Sequence, residues 1–276
     1  MTLAVFGIVL FAAALHAVWN AIVKVGSDTL LTTILVAATG ALVGIVTLPF
    51  LPAVAAAAWP YLAISGVLEI AYYALVAGAY RNTDMSRAYP LMRGAPPLLV
   101  ALVSTLALGM TLTSGEWVGV ALVSLGLLSL TLTGRGGDPR GLGLAAVNAL
   151  VIASYTLVDG YGVRASGSPA AYTMWIFVLT GVPLAIWALL RRRDFAGYAR
   201  RNWAIGVAGG LGTLISYGLV LWAMTQAAIP LVAALRETSI LFGTAIAFFV
   251  LKEKVTAARL VAVLIIAAGA AVLKLA

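Results

Sequence analysis

Ionisable side chains stand in the middle of long apolar stretches at five positions of this 276-residue chain. A charged group is costly in hydrocarbon, so each of these residues is expected either to pair with another or to bind a solute or a proton. Carboxylates, guanidinium groups and an imidazole suit the binding of small charged molecules and the relay of protons. The five residues are His16, Glu69, Arg93, Arg236 and Glu237.

On the first predicted helix, His16, Trp19 and Asn20 are spaced i, i+3 and i+4 and therefore share one face. A face of this kind either lines a cavity with an aromatic platform or makes hydrogen bonds to neighbouring helices. The residues themselves leave both interpretations open.

On the third predicted helix, a carboxylate shares one broad face with three phenols, because eleven residues are close to three helical turns. This combination suits a wet cavity that binds an ammonium group or another cation. An aromatic belt at the membrane surface would explain the last tyrosine but not the carboxylate in mid-span. The residues are Glu69, Tyr72, Tyr73 and Tyr80.

Two helices of the second half carry similar faces. Tyr155 is flanked by Asn148 and Asp159 on the sixth helix, and Tyr217 follows Thr213 and Ser216 on the eighth. Serine and threonine alone carry little weight, because they commonly join helices to one another. Asp159 lies near the predicted end of its helix and is given less weight than the mid-span residues.

Arg93 and Arg236 need acids, carbonyl groups or water inside the membrane, because arginine keeps its charge there. Glu69 and Glu237 are the available acids, and the depths of Glu69 and Arg236 in their predicted spans match. A Glu69–Arg236 pair would fix the register of the helices. Alternatively, one arginine meets a substrate carboxylate during part of a transport cycle.

Pro96 and Pro97 fall within the predicted fourth helix and weaken its backbone hydrogen bonding. We expect a kink or hinge there. A packing role is an equal alternative, because proline is common in membrane helices.

The composition places most of the chain in a membrane. Hydrophobic residues make up 63% and charged residues 9%, with a mean hydropathy of +1.09, whereas soluble domains carry about 25% charged residues. Nucleic acid is not an expected partner despite the net charge of +8, because the basic residues cluster between apolar runs. With no cysteine, one histidine and no phosphate-binding or hydrolase motif, we expect no metal site, no cofactor and no enzyme activity.

Apolar stretches of about 18 residues or more predict ten membrane-spanning helices with short connections. The odd-numbered connections hold 13 lysine and arginine residues and the even-numbered ones hold one, Arg164. The positive-inside rule then places the odd connections in the cytoplasm and both chain termini on the outer side. The predicted spans are 2–23, 30–51, 59–80, 90–110, 116–133, 141–163, 169–190, 203–224, 229–250 and 257–274.

The two halves of the chain show an internal repeat. A shift of 143 positions moves residues 59–133 onto 202–276 and brings Arg93 onto Arg236, and a shift of 136 brings Trp19 onto Tyr155. Because each half has five spans, an odd number, the second half is inverted relative to the first, as in many secondary transporters. The predicted fold is therefore an all-α membrane protein with two inverted five-helix repeats, residues 1–136 and 137–276, around a central cavity.

The ends of the two halves carry related runs of residues. They are Gln226-Ala-Ala-Ile-Pro-Leu-Val, Leu251-Lys-Glu-Lys-Val-Thr and Gly269 in the second half, against Leu108-Gly-Met-Thr-Leu-Thr in the first half. The second half has a small-residue turn and then a helix that ends at an acid beside a base; the first half departs from this, with Met110 where Glu253 would align. This pattern resembles the EamA-type members of the drug/metabolite transporter superfamily. The nearest resemblance is to bacterial exporters of aromatic and other hydrophobic amino acids.

This resemblance and the polar faces together predict a secondary transporter of a bacterial-type inner membrane. It would export small amphipathic metabolites, hydrophobic or aromatic amino acids first among them, with the lipid bilayer as its surroundings and protons as a candidate coupling ion. Export of cationic drugs or guanidinium-like compounds is the alternative substrate class. A membrane scaffold or a membrane enzyme is the alternative from another class.

Overall fold

The computed structural model describes residues 1–25, 28–133, 138–250, 252 and 255–276. Of the second-half motif, Leu251, Glu253 and Lys254 lie outside these residues. The described chain is helical and contains no strand, which agrees with the predicted all-α class. Its helices are α1 Leu3–Val25, α2 Thr29–Thr47, α3 Trp59–Asn82, α4 Met85–Leu106, α5 Ser114–Thr133, α6 Pro139–Ala165, α7 Pro169–Arg191, α8 Phe195–Arg201, α9 Trp203–Gln226, α10 Ile229–Arg236, α11 Ser239–Phe249 and α12 Ala257–Leu275.

Nine stretches of the described chain are long and apolar enough to cross a membrane, and α10 and α11 together form one of them, Ile229–Phe249. The predicted fourth span, 90–110, is not among the nine. Its helix, α4, is 22 residues long, but it carries Arg93 and three prolines, Pro90, Pro96 and Pro97. The nine stretches therefore make this a multi-pass membrane protein, and the tenth crossing stays a proposal.

Helices of the two halves pack against one another throughout the bundle. Helix α3 packs on α6 and α1 packs on α9, while α2 contacts α7 and α5 contacts α12. Helix α4 lies against α5, α6 and α10, and its three prolines are buried in those contacts. One large apolar core runs through both halves, from Val5 and Leu62 to Ile229 and Leu273. The halves are thus interlocked and share their core.

Glycines let the backbones approach where α2 crosses α7 and where α5 crosses α12. A Cβ atom on Gly44 of α2 would lie 2.9 Å from the carbonyl oxygen of Met174, and one on Gly181 of α7 would collide with the carbonyl oxygen of Ala37. A Cβ atom on Gly269 of α12 would likewise lie 2.9 Å from the amide nitrogen of Val123. Both crossings depend on residues without side chains.

Contacts at one end of the bundle join predicted odd-numbered connections. Arg192, after α7, forms an ion pair with Asp28, before α2, at 3.3 Å between Nη2 and Oδ2. The backbone N–H of Asp138, before α6, donates to the carbonyl of Asn82 at the end of α3, at 3.1 Å. In both cases an odd connection meets another odd connection.

Predicted even-numbered connections meet in the same way. The backbone N–H of Ala55 donates to the carbonyl of Ser166 at 3.0 Å. Arg164 donates from Nε to the carbonyl of Met224 at 2.8 Å and from Nη2 to that of Ala227 at 2.7 Å. The single basic residue of the even connections thus satisfies free carbonyls at the C-terminus of α9, an established use of arginine.

We predict that Gly181→Ala lowers the free energy of unfolding by about 1–3 kcal/mol, because the added methyl forces α2 and α7 apart. Thermal unfolding of the purified protein in detergent measures the change. Gly7→Ala is the matched control, since a Cβ atom at Gly7 meets nothing within 4 Å. Equal unfolding temperatures for the two variants would contradict the close crossing.

Candidate functional site

The basic part of the candidate site is a carboxylate between two arginines. Arg93 Nε lies 2.9 Å from Glu237 Oε2, and Arg236 Nε lies 3.7 Å from Glu237 Oε1. All three residues are buried, with exposed fractions of 7% for Arg93, 5% for Arg236 and 3% for Glu237. Among the described side chains, the ion pair of Arg236 is therefore with Glu237, and the Glu69–Arg236 pair that the matched depths allowed is not formed. The charge of Arg236 acts on Glu69 through space.

A break in the ninth span positions Glu237. Helix α10 ends at Arg236 and α11 begins at Ser239, so Glu237 and Thr238 form the connection. The N–H of Glu237 donates to the carbonyl of Ala234 and the N–H of Thr238 to that of Leu235, at 3.1 and 3.0 Å. These i to i−3 bonds make a short 3₁₀ segment, a common hinge element within helices.

The predicted hinge residues lie elsewhere. Pro96 and Pro97 are buried in α4, which continues as one helix from Met85 to Leu106. Their role as a hinge stays a prediction, whereas the break in helical structure occurs in the ninth span. The sequence carries no signal for this break, because Glu237 and Thr238 are neither proline nor glycine.

The acidic part of the candidate site is built around Asp159 of α6, which is completely buried. Its Oδ1 accepts a hydrogen bond from the Tyr172 hydroxyl at 3.1 Å, and its Oδ2 accepts one from the Tyr217 hydroxyl at 2.5 Å. In the sequence, Asp159 lies near the predicted end of its helix, and no pattern singles out Tyr172. The available signal was the shared face of Tyr155 and Asp159 on a helix that extends, in the structure, to Ala165.

Glu69 belongs to the same group of residues. It is half-buried on α3, and the charges of both Asp159 and Arg236 act on it. Beside it, the ring of Tyr72 lies 5.2 Å from that of Tyr73 and 6.1 Å from that of Tyr155 on α6, both in edge contacts. The predicted polar face of α3 is therefore turned towards α6.

Tyr80 lies at the far end of that face. Its electrostatic neighbours are Tyr72, Arg93 and Tyr89, a half-buried residue of α4 that sequence analysis did not single out. Tyr80 thus lies near Arg93, at the end of the cluster that holds Arg93, Glu237 and Arg236. These three residues are called the arginine group below.

On the predicted polar face of α1, the side chains form hydrogen bonds mainly with other residues of the same helix. Trp19 donates from Nε1 to Nδ1 of His16 at 3.3 Å, with the rings 5.2 Å apart edge to face. The Asn20 amide donates to the carbonyl of His16 at 2.7 Å and is therefore used within its helix. His16 is half-buried, and the charges of Arg93 and Arg236 act on it. This brings α1 to the arginine group.

Two apolar grooves lie outside the charged cluster. One, of about 360 Å³, is lined by Ala63, Ile64, Val67 and Leu68 on α3, and one of about 240 Å³ lies between α7 and α9 beside Trp222. Neither contains a charged residue. The central cavity therefore stays a prediction.

The second half of the chain, residues 139–275, matches the EamA-like transporter family. The likeness to this family covers just under half of the chain. The predicted EamA-type resemblance is thereby confirmed. Among curated proteins, none matches this chain. A solved structure, described only as the crystal structure of a protein, superposes with a TM-score of 0.75 and 18% sequence identity, covering 99% of this chain and 96% of that one. At that identity the likeness establishes the fold alone.

The family that this half of the chain matches is described as EamA-like transporters, which are not enzymes. The described residues contain no group of three histidine, cysteine or acidic side chains placed to hold a metal ion. What the described cluster offers is binding chemistry. Carboxylates and phenols attract a cation, guanidinium groups attract an anion, and aromatic rings cover an apolar group.

Proposed function

We propose that this chain is a secondary transporter that exports hydrophobic or aromatic amino acids across a bacterial inner membrane by alternating access. The supporting observation is the neighbourhood of an acidic and a basic group within the membrane-spanning helices. Glu69 and Asp159 form the acidic group, and Arg93, Glu237 and Arg236 form the basic one.

An amino acid with an apolar side chain complements this arrangement. Its ammonium group matches the acidic group and the nearby phenols, and its carboxylate matches the arginines. Its side chain would lie against the rings of Tyr72 and Tyr155 or of Trp19. His16 and Glu69 are the candidate proton carriers, because both are ionisable and half-buried within spans.

The proposal includes ten spans in two inverted repeats, 1–136 and 137–276. The predicted shift of 143 moves α4, 85–106, onto 228–249, and α10 with α11 covers 229–249. The same shift moves α5, 114–133, onto 257–276, and α12 covers 257–275. Since the ninth span is apolar enough to cross the membrane, its equivalent, α4, is proposed to cross as well.

Helix contacts support the same relation. If α1 corresponds to α6 and α3 to α9, the α3–α6 contact corresponds to the α9–α1 contact, and both are present. The α2–α7 and α5–α12 pairs each join equivalent helices. Rocking of one half against the other would then open the cluster to each side in turn.

A second candidate function is the export of cationic compounds. Counted formally, the cluster holds three carboxylates, Glu69, Asp159 and Glu237, against two arginines, Arg93 and Arg236, which leaves one negative charge with His16 neutral. A cation would neutralise that charge. Faster flux of a quaternary ammonium compound than of any amino acid would favour this function.

Single cysteines test the topology, because the chain has no cysteine of its own. We predict that Ser86→Cys, before most of α4, reacts with a membrane-impermeant maleimide from the cytoplasmic side only. Thr111→Cys, after α4, should react from the outer side only. Both positions are exposed. Reaction of both cysteines from one side would mean that α4 does not cross the membrane, and the ten-span repeat would be lost.

Transport by purified protein in liposomes tests the function. We expect counterflow of labelled L-phenylalanine above that of empty vesicles, and a fall of about tenfold or more in Glu69→Gln, because a charge-assisted contact to the ammonium group is lost. Asp84→Asn is the control, an exposed acid whose side chain makes no capping hydrogen bond. A scaffold would show no flux in any of the three proteins, and full flux in Glu69→Gln would remove this residue from the site.

A further inference from the structure

In the arginine group, the two guanidinium groups offer more hydrogen-bond donors than the single carboxylate of Glu237 can accept. Arg93 and Arg236 contribute two positive charges and Glu237 contributes one negative charge, so the group keeps one net positive charge in the membrane interior. Nη2 of Arg93 and Nε of Arg236 are fully buried and have no hydrogen-bond partner among the described residues. Buried N–H groups of this kind normally find an acceptor, so the group is built to receive one.

The neighbouring acids do not supply that acceptor. Both oxygens of Asp159 accept hydrogen bonds from tyrosine hydroxyls, those of Tyr172 and Tyr217. Glu69 acts on Arg236 through space, and the ion pair of Arg236 within 4 Å is with Glu237. An additional acceptor is therefore needed for the guanidinium N–H groups that these acids leave without a hydrogen bond.

The repeat explains why only one carboxylate serves two arginines. The shift of 143 brings Arg93 onto Arg236 and Gly94 onto Glu237. A Cβ atom on Gly94 would lie 2.9 Å from Cγ of Leu128 and 3.0 Å from Cβ of Leu127 on α5. A glutamate at that position would have no room, so Arg93 has no acid next to it in α4 as Arg236 has in Glu237. The two arginines therefore share the carboxylate of Glu237.

Resting on the proposed function, we infer that Arg93 and Arg236 form a subsite for the carboxylate of the substrate, next to Glu237. A carboxylate has two oxygens and accepts hydrogen bonds from both guanidinium groups at once. Because one arginine comes from α4 and the other from the end of α10, the bound carboxylate joins the two halves beside the 3₁₀ break of the ninth span. The substrates are small monocarboxylates, amino acids included, and amides or amines of the same shape are excluded.

Binding to the wild-type protein tests the subsite without any substitution. We expect purified protein to bind 3-phenylpropanoate at least about tenfold more tightly than 3-phenylpropanamide, measured by isothermal titration calorimetry in detergent. Equal affinities, or no binding of 3-phenylpropanoate at all, would overturn the subsite, since water alone would then satisfy the arginines.

Substitutions test whether 3-phenylpropanoate binds at the two arginines. Arg236→Lys keeps the charge but loses the planar fork, and we expect it to weaken 3-phenylpropanoate binding about tenfold or more. Arg81→Gln, which removes an exposed arginine at the end of α3, is the matched control and should leave that affinity unchanged. Unchanged affinity in Arg236→Lys would contradict the assignment.

The two proposals fail in different ways. If 3-phenylpropanoate binds as expected but no amino acid crosses the liposome membrane, the amino-acid exporter is wrong and the carboxylate subsite stands. If labelled L-phenylalanine crosses and L-phenylalaninamide crosses equally fast, the exporter stands and the subsite is wrong.

Discussion

The carboxylate of Glu237 between two buried arginines is the interaction on which the rest of the structure depends. It lies 2.9 Å from Arg93 and 3.7 Å from Arg236, and all three residues are withdrawn from the surface. Removal of either partner of a buried ion pair leaves an uncompensated charge and is strongly destabilising. The helices that carry these residues, α4 and α10, are therefore held against one another by electrostatics as well as by packing.

The surrounding apolar helices pack around these charged residues, and one span next to them is interrupted. Apolar helices pair across the halves, with glycines at the crossings of α2 with α7 and of α5 with α12. The ninth span is broken at Glu237 and Thr238, next to these ion pairs. In the proposed transport cycle, solute binding shifts the ion pairs and so acts directly on this 3₁₀ segment.

Much of this could be predicted from the sequence because membrane helices follow from long apolar runs. The mid-span positions of Arg93, Arg236 and Glu237 could be predicted too, since charge is rare there. The partner of Arg236 could not, because matched depth in two helices does not fix their rotation, and Glu237 rather than Glu69 faces it. Asp159 was underrated because α6 continues to Ala165, which places this residue deeper in the helix than its predicted end suggested.

Accessibility of one interior position tests the central claim, that the charged cluster is a chamber for a solute and not a static core. Tyr73 is half-buried beside Tyr72, and Tyr73→Cys would be the sole cysteine of the chain. The measurement is the rate at which a membrane-impermeant thiol reagent modifies it from each side of liposomes. Modification from both sides, slowed by L-phenylalanine, is the result that alternating access predicts. No modification from either side, or a rate that L-phenylalanine leaves unchanged, would contradict it.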